Sequence, residues 1–154
     1  MEKMIEKEIV VNAEIDEVWN AWTTESGVRT FFAPQSRINL SEGGEYEMYF
    51  FPDAPEGYKG GEGCKVLKVI PPTHFAFTWN FPPSIPLLRN SSAKTEVSID
   101  LEKISSSTTR VKLTHYGWQE GEDWDSGFDY FTAAWSVVLN RLKSSFNSGP
   151  VDWN

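Results

Sequence analysis

Cysteine and histidine are nearly absent from this chain, which holds one Cys at position 64 and two His at 74 and 115. A lone thiol cannot close an internal disulfide, and three such residues without HExxH or Cys-pair spacing exclude the common zinc sites. Positive charge is also scarce. With 14 Lys and Arg against 22 Asp and Glu the formal charge is −8, which repels phosphate backbones and anionic lipid. Neither nucleic acid nor a membrane is therefore an expected partner. No apolar run approaches the roughly 20 residues of a membrane-spanning helix, and the opening MEKMIEKEIVV lacks the layout of a secretory signal. A reducing cytoplasm is the expected setting. The glycine-rich stretch Gly60-Gly61-Glu62-Gly63 lacks the Lys-Ser/Thr pair of a phosphate loop, no nucleophile elbow occurs, and Cys64 has no sequence-adjacent activating partner. No metal, cofactor or catalytic residue is expected.

Aromatic rings are what the chain has in abundance. Seven Trp, ten Phe and five Tyr make up 14% of 154 residues, a length suited to one domain spanning 1–154. The strongest periodic signal lies near the carboxyl end. Trp124, Phe128, Phe131, Trp135, Val138, Leu139, Leu142 and Phe146 recur at spacings of three and four, the mark of a helix with one apolar face. Asp129, Thr132, Ser136, Asn140 and Lys143 occupy the other face. Ser126 followed by Asp129 reads as a capping box, so the helix is expected over 127–146, ended by Gly149 and Pro150. The acidic run from Glu120 to Asp125 complements the positive end of the helix dipole, a simpler role than holding a cation.

The rest of the chain has mostly a period of two. Strands are expected at 7–12, 36–40, 45–51, 63–70, 73–81, 95–103 and 109–116, with short helices in AEIDEVWNAWTT and SGVRTFF after the first strand. Val97, Ile99 and Leu101 alternate with Glu96, Ser98, Asp100 and Glu102, so one side of that strand is wet. Lys65 and Lys68 cannot both face outward under strict alternation; either a bulge intervenes or one lysine stem lies along the sheet edge. His74, following Pro71-Pro72, is expected in a turn facing solvent. Glu45 and Glu47 share a face and are expected to meet water. One-sided strands need a cover, and only the last helix is long and apolar enough to supply it. The expected fold class is α+β: a curved antiparallel sheet of about seven strands wrapped around a long C-terminal helix.

The order of these elements resembles the START-like (SRPBCC) helix-grip superfamily. The resemblance runs through IVVNAEIDEVWNAWTT, GGEYEMYF, PPTHFAFTWNF, LTHYGW and WSVVLNRLKSSF, covers nearly the whole chain, and is nearest to the branch named after the activator of heat-shock protein 90 ATPase. It implies a cavity between helix and sheet, since members bind lipids, hormones, polyketides or toxins there and a minority catalyse cyclisation or hydration. The eponymous activator carries a further chaperone-binding domain ahead of its helix-grip domain. Here the first expected strand starts at Lys7, so a pocket is the expectation and chaperone activation is not.

Two rows of rings would line that cavity. Phe75, Phe77, Trp79 and Phe81 form one face of a strand, and Phe128, Phe131 and Trp135 lie on the helix; wide stiff rings are hard to interdigitate without gaps. The expected lining is Met48, Phe77, Trp79, Val97, Leu113, Phe128, Phe131 and Trp135, with His115 as the inward polar group. The parity of His115 with Val111 and Leu113 turns it toward the helix, where it either orients a ligand or is a hydrogen-bonded structural histidine, the latter requiring less. The expected function is a binding protein for a small hydrophobic or aromatic ligand, without chemistry of its own. The alternatives are a protein-partner module and a small cyclase or hydratase using His115, for which no second acid or base can be placed. The apolar stretch 82–88 carries Ile85, Leu87 and Leu88, which should be covered by folding over the cavity mouth or by meeting a second copy or a protein partner.

Overall fold

The computed structural model describes residues 3–154. Strand β1 (Ile5–Val11) leads into helices α1 (Ile15–Thr23) and α2 (Glu25–Val28), then β2 (Gln35–Ile38), β3 (Tyr46–Tyr49), β4 (Val66–Ile70) and β5 (His74–Trp79). A one-turn helix α3 (Pro86–Arg89) precedes β6 (Thr95–Ser105) and β7 (Thr108–Tyr116), and the long helix α4 (Glu122–Ser148) closes the series. Five strands pair antiparallel in the order β1-β7-β6-β5-β4, while β2 and β3 form a two-stranded hairpin. Single bridges between Glu45 and Lys65 and between Tyr49 and Gly60 continue the sheet from β4 to β3. The result is a seven-strand antiparallel sheet gripping α4.

Local chemistry explains most of these elements. In β7 the alternation is complete: Val111, Leu113 and His115 are buried while Arg110, Lys112 and Thr114 face outward. The difficulty with Lys65 and Lys68 is resolved by a bulge, since the register against β5 shifts between Val66 and Lys68 and leaves Leu67 outside the ladder. His74 is the first residue of β5, not part of a turn, and its Nδ1 lies 2.7 Å from Asp100 Oδ1 across the β5–β6 pair. Glu47 is half-buried, accepting a hydrogen bond from the Tyr49 hydroxyl and one from the Gly63 amide.

Helix α4 begins five residues earlier than its capping signal suggests. Ser126 and Asp129 lie inside it, and the N-cap is Gly121, which offers no side-chain cap. Glu122, Asp123 and Asp125 sit in the first turn, where their charge favours helix and draws the start back into the acidic run. Gly127 is buried against Phe81 and Trp118; a Cβ there would stand 2.8 Å from Cε1 of Phe81, so the bare backbone is what lets that ring lie against the helix.

The gap between sheet and α4 is filled from a third direction. Trp22 of α1 and Phe31 and Phe32, just after α2, are fully buried, and Phe32 lies 5.8 Å from the ring centroids of both Trp79 and Trp135. Trp22 packs edge-on to Phe31 at 4.9 Å and also reaches Phe75. Its indole Nε1 has no hydrogen-bond partner among the described residues. Aromatic faces such as these are the weak acceptors open to it.

Candidate binding cleft

His115 stands at the centre of the packed interior, with no exposed surface. The Trp135 indole donates to its Nδ1 at 2.9 Å, and because indole N–H only donates, that nitrogen must be unprotonated. The neutral ring then carries its proton on Nε2 and donates to Thr95 Oγ1 at 2.6 Å, whose hydroxyl donates in turn to the Trp79 carbonyl at 3.2 Å. Both ring nitrogens are satisfied by protein. Burial pushes the imidazole pKa down to about 3, so the ring stays neutral through the physiological range. This is a hydrogen-bonded strut between β6, β7 and α4, with neither nitrogen free to meet a ligand or exchange a proton.

The residues expected to line one cavity separate into three places. Met48, Phe77, Val97 and Leu113 lie with His115 in the sealed core, each without exposed surface. Phe128 lies toward the amino end of α4, under the Lys3 ammonium at 4.3 Å and beside Trp118. Trp79, Phe131 and Trp135 alone reach an open space, a cleft of about 310 Å³. Trp22, Phe31 and Phe32 pack into the space between the two rows.

The cleft has three walls. Helix α4 presents Tyr130, Ala134, Val137 and Arg141, one residue round from its buried stripe. The loop after β3 supplies Phe50, Phe51, Tyr58 and Gly60, and the segment after β5 supplies Asn80, Pro82, Pro83 and Arg89. Trp79, Trp135 and Phe32 lie at the base. Of the ten large apolar side chains exposed among the described residues, Phe51, Tyr58, Tyr130 and Val137 belong to this cleft. Clustering of exposed rings around a concave, mostly apolar surface is what small-molecule sites show.

Two of the walls are clasped together by Arg89. Its guanidinium donates to the Gly57 carbonyl from Nη2 at 2.6 Å, to the Phe81 carbonyl from Nη1 at 2.6 Å, and pairs with Glu62 Oε1 at 3.2 Å. Burial raises the Glu62 carboxyl, but the Lys59 and Gly60 amides that donate to it outweigh this and hold its pKa below the usual value. Asn80 adds bonds to the Gly60 and Glu62 carbonyls. The stretch 82–88 folds over the cleft edge in part. Ile85 is buried and Leu88 packs on the core, whereas Leu87 is 76% exposed, contrary to the expectation that all three would be covered. The reason is α3: Ile85 and Leu88, three apart at its start, fall on one side, while Leu87 is turned about 100° away from Leu88.

The sequence profile of the family described as Activator of Hsp90 ATPase homolog 1-like protein matches residues 12–147. The chain belongs to this family. Among curated protein sequences none matches. The solved structures agree on the fold: the Aha1 dimer from Colwellia psychrerythraea is 24% identical, over 96% of this chain and 98% of that one, with a TM-score of 0.70. Protein MLL2253 from Mesorhizobium loti is 15% identical over 97% of this chain and 100% of that one, with a TM-score of 0.75. CalU16 from Micromonospora echinospora is 21% identical over 97% and 76%, with a TM-score of 0.68. These likenesses show the START-like helix-grip fold, and the family match puts the chain in its Aha1-homologue branch. Among the described residues no helix is long and apolar enough to cross a membrane, and no cluster of His, Cys, Asp or Glu could hold a metal ion.

The cleft residues of α4 had a trace in the sequence. Tyr130, Ala134, Val137 and Arg141 repeat at four, three and four, next to the stripe of Phe131, Trp135, Val138 and Leu142. Two adjacent stripes make the apolar face wider than the sheet can cover.

Proposed function

We propose that the protein binds a small apolar or aromatic molecule in the cleft between α4 and the two loops, and performs no chemistry on it. The observation that carries this reading is the cluster of Phe51, Tyr58, Tyr130 and Val137, exposed around a base of Trp79 and Trp135. Covering those side chains removes apolar surface from water at roughly 25 cal/mol per Å². The absence of catalysis rests on His115, the one histidine in the interior, whose two nitrogens are spent on Trp135 and Thr95. A reducing cytoplasm is part of the same reading, supported by the single buried thiol of Cys64.

Titration with planar aromatic and fatty-acyl compounds tests it, because Trp79 and Trp135 line the cleft and report on its occupancy. Tryptophan emission should change, and the thermal midpoint should rise, a ligand at 100 times its dissociation constant adding about 2.7 kcal/mol. No change in either across such a panel would overturn the reading. A protein-partner role then becomes the better one, supported by the same exposed rim, by Leu87, and by the dimer formed by the Colwellia psychrerythraea protein. Sedimentation across a concentration series reads that outcome directly.

A further inference from the structure

The cleft has a charge opposite to that of the protein. In a chain with 22 Asp and Glu, none lines it, and its two charged residues are Arg89 and Arg141. They are in different states. Arg89 is spent on the Gly57 and Phe81 carbonyls and on Glu62. Arg141 makes no hydrogen bond or ion pair with protein among the described residues; its guanidinium lies over the Trp153 ring, 5.2 Å from the centroid. That ring is itself fixed, its Nε1 donating to the Arg29 carbonyl at 2.7 Å. The cation–π contact rests the guanidinium over the ring and leaves its N–H groups without protein acceptors, open to a carboxylate. An aromatic floor with one oriented, unneutralised cation at its edge selects for a molecule that is apolar at one end and anionic at the other.

Building on the binding reading above, we propose that the natural occupant is an organic monocarboxylate with an aromatic or alkyl body, its carboxylate received by Arg141. The body lies against Trp79, Phe131 and Trp135, while the charge stays at the half-open edge and avoids the full cost of burial. A neutral ligand of the same shape would leave the arginine's donors to water. Because the guanidinium is already placed by Trp153, little conformational freedom is lost when it pairs.

Naphthaleneacetate and naphthaleneacetamide, nearly equal in shape and different in charge, provide the test, followed by tryptophan emission and by calorimetry. Wild-type protein should prefer the acid by about tenfold, the scale of one charge-assisted hydrogen-bonded contact at a partly exposed site. Arg141→Gln should abolish that preference while changing the amide affinity less than about twofold, and Arg141→Lys should keep part of it. The preference should also shrink as salt rises. Binding of acid and amide with equal strength, or equal losses for both in Arg141→Gln, would overturn the assignment while leaving an apolar binding site in place. If neither compound binds wild-type protein, the monocarboxylate assignment falls, and the compound panel described above decides the binding reading separately.

Discussion

Two regions on either side of Trp135 are built from the same kinds of residue and end differently. Toward β6 and β7 its indole N–H meets His115, and the space is closed by a chain of hydrogen bonds from Trp135 through His115 and Thr95 to the Trp79 carbonyl. Toward the loops after β3 and β5 the same ring lies at the base of an open cleft. The difference is in what arrives from elsewhere in the chain. The interior receives Trp22 and Phe31 from the α1–α2 segment, with Phe32 reaching only as far as the cleft base, whereas beyond that ring the open side is bounded by α4 and two loops. Aromatic content alone does not make a cavity; a missing third layer does.

The largest expected effect comes from removing the shared residue. Trp135 is 2% exposed, and Trp135→Ala should cost about 3 to 5 kcal/mol in denaturant unfolding, since it leaves a void and strips His115 Nδ1 of its donor. It should also merge the two regions into one larger space, read as increased uptake of apolar dyes.

The closed side has a pH dependence of its own, set by His115. With the folded-state pKa of His115 depressed to about 3 and the unfolded value near 6.5, the unfolded chain binds the extra proton between these limits. Stability from this group is therefore fully present above about pH 6.5 and falls as pH drops toward 3, by about 1.4 kcal/mol per pH unit in the middle of the window. Urea unfolding at several pH values should show this slope in wild-type protein and lack that share of it in His115→Phe. An unchanged slope would mean that the imidazole is not held neutral by burial.

The smallest effects separate the rim of the cleft from ordinary surface. Leu87→Ser should change stability by less than about 0.5 kcal/mol and leave uptake of apolar probes untouched, because Leu87 is exposed and outside the cleft. Val137→Ser should be similarly mild for folding yet weaken the probes several-fold. Equal effects on probe binding would erase the distinction between the two exposed residues.

The sequence carried the closed side better than the open one. Val97, Ile99 and Leu101 in β6 and Val111, Leu113 and His115 in β7 alternate so regularly that the buried face follows from period alone, and the body of α4 follows from its three-and-four spacing. Its start did not, because a polar, acidic stretch without a side-chain cap reads as loop until the dipole is considered. Phe31 and Phe32 were expected at the end of a short helix, but α2 stops at Val28, and nothing in their spacing showed that they would plug the gap between two other rows. The cleft was hidden for a related reason. Phe51 and Tyr58 stand in a loop rich in Pro and Gly, where period has no meaning, and their meeting with Tyr130 and Val137 depends on tertiary placement.

Cys64 turns this fold into its own reporter. The thiol is fully buried at the foot of the loop that forms one cleft wall, its amide donating to the Gly61 carbonyl, and burial pushes its pKa up to about 12. In the native arrangement it is shielded from alkylating reagents both by access and by protonation. Any labelling therefore marks a moment when the wall has swung away from β3 and β5, so the alkylation rate clocks local opening at a single atom, with no dye or tag attached.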